Sequence, residues 1–447
     1  MTNNSNIENC NTIYDKQITQ FKINRNGSSG CGSSNESGSL LISIKIEHIL
    51  EFPDEVLLTI LSFLEPNDIK NIYLSSRYLS RFCFENKIWK AICKRKWSSS
   101  PIFKRKPITN WRSYYLKKKG FMDLSGGLSW IEIFSSSGDK PSPRYQNTCT
   151  SVGNEIYFIG GQDHPENRFN TIHKFNCTTQ EFTRLIPTGS SPPKFARHTS
   201  TVIGSKIYSH GGFDGFSQHF GLFVYCTIEN RWETLSPTGD IPISRTNHAS
   251  TSIGDNFYIF GGMYKNGSDL VFLNDLFEYN TIENKWTQLK GTGDHPPQKC
   301  GHKLFNFGGK LLLFGGGYGS QWDIKYNDVH IYDRSLNRWT KVKTKGEINV
   351  CTFTVSWSVG PFLFIYGGQS VKDDLLTNDL YMLDTVNMEW SSINTNCTPF
   401  PRDMGSGVLV GSTLYMFGGF SSTPLDSLFS LDLLKDENLN ISPSPNI

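Results

Sequence analysis

The chain has 447 residues, with 44 Lys or Arg against 41 Asp or Glu and a formal net charge of +3. No 18 successive apolar residues supply a membrane span, and no N-terminal apolar core supplies a signal peptide. The ten cysteines are scattered without a Cys-x-x-Cys, as free thiols in a reducing compartment would be. These features imply an intracellular protein, cytoplasmic and/or nuclear, with no membrane partner; the length allows two or three domains.

Residues 1–39 are rich in Asn, Ser and Gly with almost no apolar clustering, which predicts a disordered tail. From Phe52 the pattern turns helical. Pro53 stands at the start, Asp54 and Glu55 fill the first turn, and Val56, Leu57, Ile60 and Leu64 share a face at helical spacing. Asn67 or Asp68 can cap a second helix through Ile69, Ile72 and Tyr73, and the segment runs on to Ile88-Trp89. Residues 50–97 therefore read as a small all-α domain.

From Lys87 to Lys119 there are twelve Lys or Arg and no acid, which leaves the remainder with nine more acids than bases. This run spans a connector, 98–124. One reading is a solvated helical face with Trp111, Tyr114 and Tyr115 packing on the other side; another is a nuclear address or a contact for an acidic partner. No nucleic-acid recognition motif accompanies the charge, so no nucleic-acid partner is expected.

Beyond it a Gly-Gly pair returns six times, at Gly160-Gly161, Gly211-Gly212, Gly261-Gly262, Gly315-Gly316, Gly367-Gly368 and Gly418-Gly419. The steps are 51, 50, 54, 52 and 51 residues. Each pair follows an apolar, aromatic run such as Phe257-Tyr258-Ile259-Phe260, which reads as a buried strand. A third strand follows most pairs. An Asn/Thr/Asp-rich turn then leads to an aromatic that opens a fourth: Phe182, Trp232, Trp286, Trp339, Trp390. Four strands per unit at a period near ~50 residues predict a six-bladed β-propeller over 128–434 and a flexible tail over 435–447. The sixth repeat lacks its Trp, and an orphan Trp130 precedes the first. The N-terminal strand is therefore expected to complete the last blade, with Trp130 buried against it and paired along Ser427 to Leu433.

The repeat resembles the kelch family. The helical segment resembles an F-box, with Pro53, Glu55, Ser62, Leu64, Asp68, Arg77 and Ile88-Trp89 in matching places; Phe52 stands where leucine is usual and Leu79 where tryptophan is usual. The resemblance implies a mainly β fold: a kelch-type propeller behind a small F-box domain. Together the modules resemble the substrate receptors of Skp–cullin–F-box ubiquitin ligases. That implies a Skp-type adaptor bound through Phe52, Pro53, Val56, Leu57, Ile60 and Leu64, a cullin reached through the adaptor, and an unidentified target held by the propeller. A non-ligase kelch scaffold, or a trafficking or cytoskeletal interaction protein, is the alternative.

No catalytic motif appears, and neither a metal nor a cofactor is expected. The glutamate-to-aspartate spacing of an iron-dependent kelch-like group is missing from the propeller. His198, His248 and His302 each lie fourteen residues before the second glycine of their pair, which marks them as structural. Kelch receptors commonly bind ligands on the face shared by the loops between blades and those after the Gly-Gly strand. There the resemblance places Arg144, Lys194, Arg197, Arg245, Lys299 and Arg402, with Tyr264, Tyr318 and Trp322. Arginine beside aromatics suits an acidic or phosphorylated peptide, whereas arginine at a repeated position can instead brace neighbouring blades.

Overall fold

The computed structural model describes residues 21–23, 40–42, 52–75, 77–97, 110–123, 127–134, 139–219, 221–319 and 323–433. They divide into two compact units, one up to Lys117 and one from Lys118. Phe21–Ile23 pairs antiparallel with Leu40–Ile42. The rest of the 1–39 tail, the 435–447 tail, residues 98–109 of the connector and Trp322 lie outside the described residues.

The first unit is helical: Asp54–Leu61, Pro66–Ser75, Arg77–Ser80, Asn86–Trp97 and the start of Trp111–Asp123. Leu57, Leu61, Leu64, Ile69, Ile72, Phe82, Ile88 and Trp89 form its buried interior. Trp89 donates its indole N–H to the Cys83 carbonyl (2.7 Å) and packs on Tyr115 at 5.2 Å. Part of the basic run is structural. The Arg95 guanidinium closes the turn between the first two helices on the Ser62 and Leu64 carbonyls, both at 2.7 Å. Tyr114 and Tyr115 are buried and Trp111 is half-buried. In the second unit Lys118 is buried in an ion pair with Asp384.

The second unit is the propeller. Five blades are built on four antiparallel strands taken in chain order, for example Thr199–Ile203, Lys206–His210, Leu222–Cys226 and Arg231–Leu235, and in three of them a two-residue connector strand adds a fifth, parallel one. The sixth has three strands from the C-terminal repeat, Ser406–Val410, Thr413–Phe417 and Leu428–Asp432. Its fourth is Ile131–Glu132, with Ile131 opposite Ser430 and Glu132 opposite Phe429. The ring closes as the orphan tryptophan suggests, and no blade edge is left open there.

Trp130 is 2% exposed, and its ring also meets the fifth blade, 6.1 Å from Trp357 and 5.4 Å from Tyr366. The sequence expectation named the sixth blade alone, and the reason for the added contact is periodic. Each fourth-strand aromatic reaches back to the preceding blade: Trp286 to His210, Trp339 to Phe260, Trp390 to Phe314. The connectors are held in the same way. Thr238–Gly239 runs parallel along Lys285–Trp286, and a Cβ on Gly239 would meet the Trp286 carbonyl at 2.2 Å, so only glycine fits.

Candidate functional site

The Gly-Gly pairs and the inter-blade segments meet at one end of the propeller. Arg144, Arg245, Lys299 and Arg402 occupy one repeated position, and all four are buried. The Arg245 carbonyl accepts the Gly212 N–H of the second blade (3.0 Å). Its guanidinium reaches the Gly261 carbonyl (3.1 Å) and Asp275 (2.6 and 3.0 Å) in the third. Arg144 joins Gly419 to Gly160 in the same manner, and Arg402 joins Gly368 to Gly418. Lys299 accepts from Gly262 and donates to Asp328 at 2.8 Å. Each cation also lies over an aromatic ring of its own blade, Arg144 at 4.2 Å from Phe169 and Arg245 at 5.2 Å from Phe277.

These four residues brace the ring, the main-chain carbonyl holding the preceding blade and the buried side chain its own, and they are not presented to a partner, which corrects the sequence expectation. In three of the blades the glycine carbonyl at the sharp Gly-Gly bend takes its donor from the forked guanidinium of Arg144, Arg245 or Arg402. The spacing that suggested convergence on a ligand is the spacing of the brace. Lys194, one position earlier in its repeat, is exposed; Phe195 takes the brace position in that blade.

Two residues further on, Gln146, Arg197, Asn247, Gly301, Phe353 and Met404 form a closed circle. The N–H of each donates to the carbonyl of its predecessor around the ring, at 2.9–3.1 Å, with Gln146 completing it on Met404. All six have φ between 53° and 67°. Arg197 is half-buried, and its Nε donates to Gln146 Oε1 at 3.1 Å. Next come Asn147, His198, His248 and His302, all buried. His198 Nε2 meets Thr148 Oγ1 at 3.1 Å and His248 Nε2 meets Thr199 Oγ1 at 3.0 Å, each on the preceding blade. His302 donates to the Phe260 carbonyl at 3.0 Å. Desolvation pushes His198 and His302 down to about 3, so they are neutral links between blades.

Outside the ring the loops after the Gly-Gly pairs bond to one another. Gln218 Oε1 accepts the Lys265 N–H (2.9 Å), Phe272 packs on Tyr318 at 4.7 Å, and Lys325 bonds the Ser370 carbonyl and pairs with Asp374. Tyr264 and Tyr318 are half-buried on this crest. Sequence reasoning missed Phe216, which is 97% exposed at its tip. Asp214 Oδ1 holds the turn by accepting the Phe216 and Ser217 N–H groups at 2.7 and 2.6 Å. The Asp-Gly-Phe order after the second Gly-Gly was the available signal.

The helical unit also sorts its candidates. Leu57 is 1% exposed and Leu64 is buried, so both belong to the interior and not to an open adaptor surface. Phe52, Pro53 and Val56 are exposed and Ile60 is half-buried; Phe63, not singled out in sequence, is exposed as well. The inward stripe is Leu57, Leu61 and Leu64, at helical spacing, which turns Val56 outward. Among the described residues no group of three or more His, Cys, Asp or Glu is placed to hold a metal, and no helix is long and apolar enough to cross a membrane.

Residues 49–95 match the F-box-like family, and residues 147–359 match the KLHDC2/KLHL20/DRC7 Kelch-repeats domain. The chain is 28% identical over 287 residues to the N-(sulfonatooxy)prop-2-enimidothioate sulfolyase of Thlaspi arvense, covering 58% of this chain and 82% of that protein. It is 26% identical over 331 residues to human Kelch domain-containing protein 3, covering 67% and 85%. Tip elongation aberrant protein 1 of Schizosaccharomyces pombe is 28% identical over 300 residues; these cover 65% of this chain but only 26% of that protein. F-box and kelch domains are generally non-catalytic interaction modules. The chain is an F-box/kelch-repeat protein, with an F-box-like domain ahead of a six-bladed propeller.

Proposed function

We propose that the protein is the substrate-recognition subunit of a Skp–cullin–F-box ubiquitin ligase. The observation that carries this is the joining of two interaction modules in one chain. The F-box-like helices bury their own core yet leave Phe52, Pro53, Val56 and Phe63 exposed for an adaptor. The propeller offers a bonded loop crest for a target. The chain would do no chemistry. It would raise the effective concentration of target lysines beside a ubiquitin-charged enzyme held elsewhere in the assembly.

The target surface in this reading is the crest itself. Phe216 is its projecting anchor, Tyr264 and Tyr318 stand beside it, and Arg197 lies at the channel mouth. Because Arg144, Arg245, Lys299 and Arg402 are committed to the blades, a preference for acidic or phosphorylated peptides cannot rest on them.

The test is capture of the full chain with a Skp-type adaptor and a cullin, comparing wild type with a Phe52→Asp, Val56→Asp double variant. Both positions are exposed, so the melting temperature should hold while adaptor and cullin are lost by at least about a hundredfold, roughly 2.8 kcal/mol. A folded double variant that retains the adaptor would sink the reading. Adaptor capture without any cullin would leave a scaffold outside ligase chemistry.

A further inference from the structure

The six inner strands enclose a central channel of about 390 Å³, within the size range of small-molecule sites, roughly 300–1,000 Å³. Its wall carries two permanent or titratable cations, Arg197 and Lys303, and no carboxylate. Hydroxyls from Thr148, Ser200, Ser250 and Ser406 line it as well. Lys303 lies two residues past Gly301 of the backbone ring, on the inner strand Lys303–Phe307. Among the described residues its ammonium has no hydrogen-bond or ion-pair partner, and the Arg197 guanidinium has no carboxylate partner.

The other five blades hold Thr148, Thr199, Ala249, Val355 and Ser406 at the position of Lys303. The fold is therefore built five times without a charge there. An unpaired ammonium in a confined channel costs stability, and its one favourable titratable neighbour, the Cys149 thiol, is itself kept neutral by burial, which pushes it up to about 12. Burial lowers this ammonium to about 8, close to physiological pH.

We propose that the channel binds a phosphate-bearing small molecule, with Lys303 as its counter-charge and Arg197 meeting it at the mouth. Two cations among hydroxyl donors, with no competing carboxylate, suit a dianion. The backbone ring encircles the entrance and Lys303 lies beyond it, which favours a free small molecule over a folded partner. The proposal is independent of the ligase reading, because adaptor capture belongs to the other unit.

The experiment uses the full chain, with inorganic phosphate and pyrophosphate as ligands in chloride-matched buffer, read by calorimetry and thermal melting. Either anion should raise the melting temperature of wild type. Lys303→Met should weaken the affinity at least about tenfold, and Lys303→Arg should largely keep it. In anion-free buffer Lys303→Met should melt at or above wild type, because a charge without a partner has been removed. Absence of a response to either anion in wild type, or an equal response in Lys303→Met, would overturn the proposal. So would a Lys303→Met protein that is less stable without anion, or that fails to fold, since the lysine would then serve the fold.

Discussion

Arg245 shows how one side chain can look like a binding residue and be a structural one. It is fully buried, bonded to Gly261 and Asp275, and its carbonyl holds the neighbouring blade at Gly212. Removing it leaves the Asp275 carboxylate without its partner and a glycine carbonyl without its donor. Breaking a buried pair in this way costs on the order of 3–5 kcal/mol. Arg245→Ala should therefore lower the melting temperature of the propeller, and any loss of target capture should track that loss of stability. A variant that melted like wild type while losing its targets would return Arg245 to the binding surface. The residues legible in sequence were the ones fixed by local geometry, such as the paired glycines and the periodic histidines. Burial of the arginines was not legible, because the sequence shows their period but not which way the side chains turn.

At the scale of elements, closure of the ring depends on a two-residue strand some 300 residues distant from its partners. Ile131–Glu132 makes few ladder bonds, so Trp130 must supply much of the hold through Trp357 and Tyr366. Truncating a buried aromatic typically costs about 3–5 kcal/mol. Trp130→Ala, or deletion through Phe134, should lower the propeller melt measured by circular dichroism or calorimetry. An unchanged melt would mean that the remaining strands of the sixth blade suffice. The pairing was legible because a missing aromatic and a surplus one can be counted. The docking of Trp130 on the fifth blade was not, since that follows from the tilt of every blade against its predecessor.

At the scale of the whole molecule, the buried histidines make the propeller acid-sensitive. Desolvation holds His198, His210 and His302 near 3, and burial, with His210 and Arg245 nearby, likewise holds His248 well below its ordinary value. In the unfolded chain these imidazoles take up protons below about 6.5. Between there and their folded values the unfolded state binds more protons, so stability is full above the unfolded pKa and falls as pH drops. Each fully titrating histidine contributes about 1.4 kcal/mol per pH unit. Asp403 acts in the opposite sense, since burial raises it to about 7 and its protonated form is favoured in the folded state below that. Four histidines outweigh one carboxyl. The melting temperature should fall steadily from pH 6.5 to pH 4, and His302→Gln should flatten that dependence. A pH-independent melt across this window would show that the imidazoles titrate alike in both states.

The sequence alone determined the number of blades, the helical module ahead of them and the strand that closes the ring. Those depend on periodicity, on glycine at positive φ and on aromatic spacing, all of which are local or countable. Only the tertiary structure decided which repeated residues face a partner. Arg245 is consumed by its neighbours, Leu57 by the helical interior, whereas Phe216 and Lys303 are left facing outward and into the channel. Exposure is a property of what packs around a side chain. In a propeller that surround comes from the next blade, about 50 residues away along the chain.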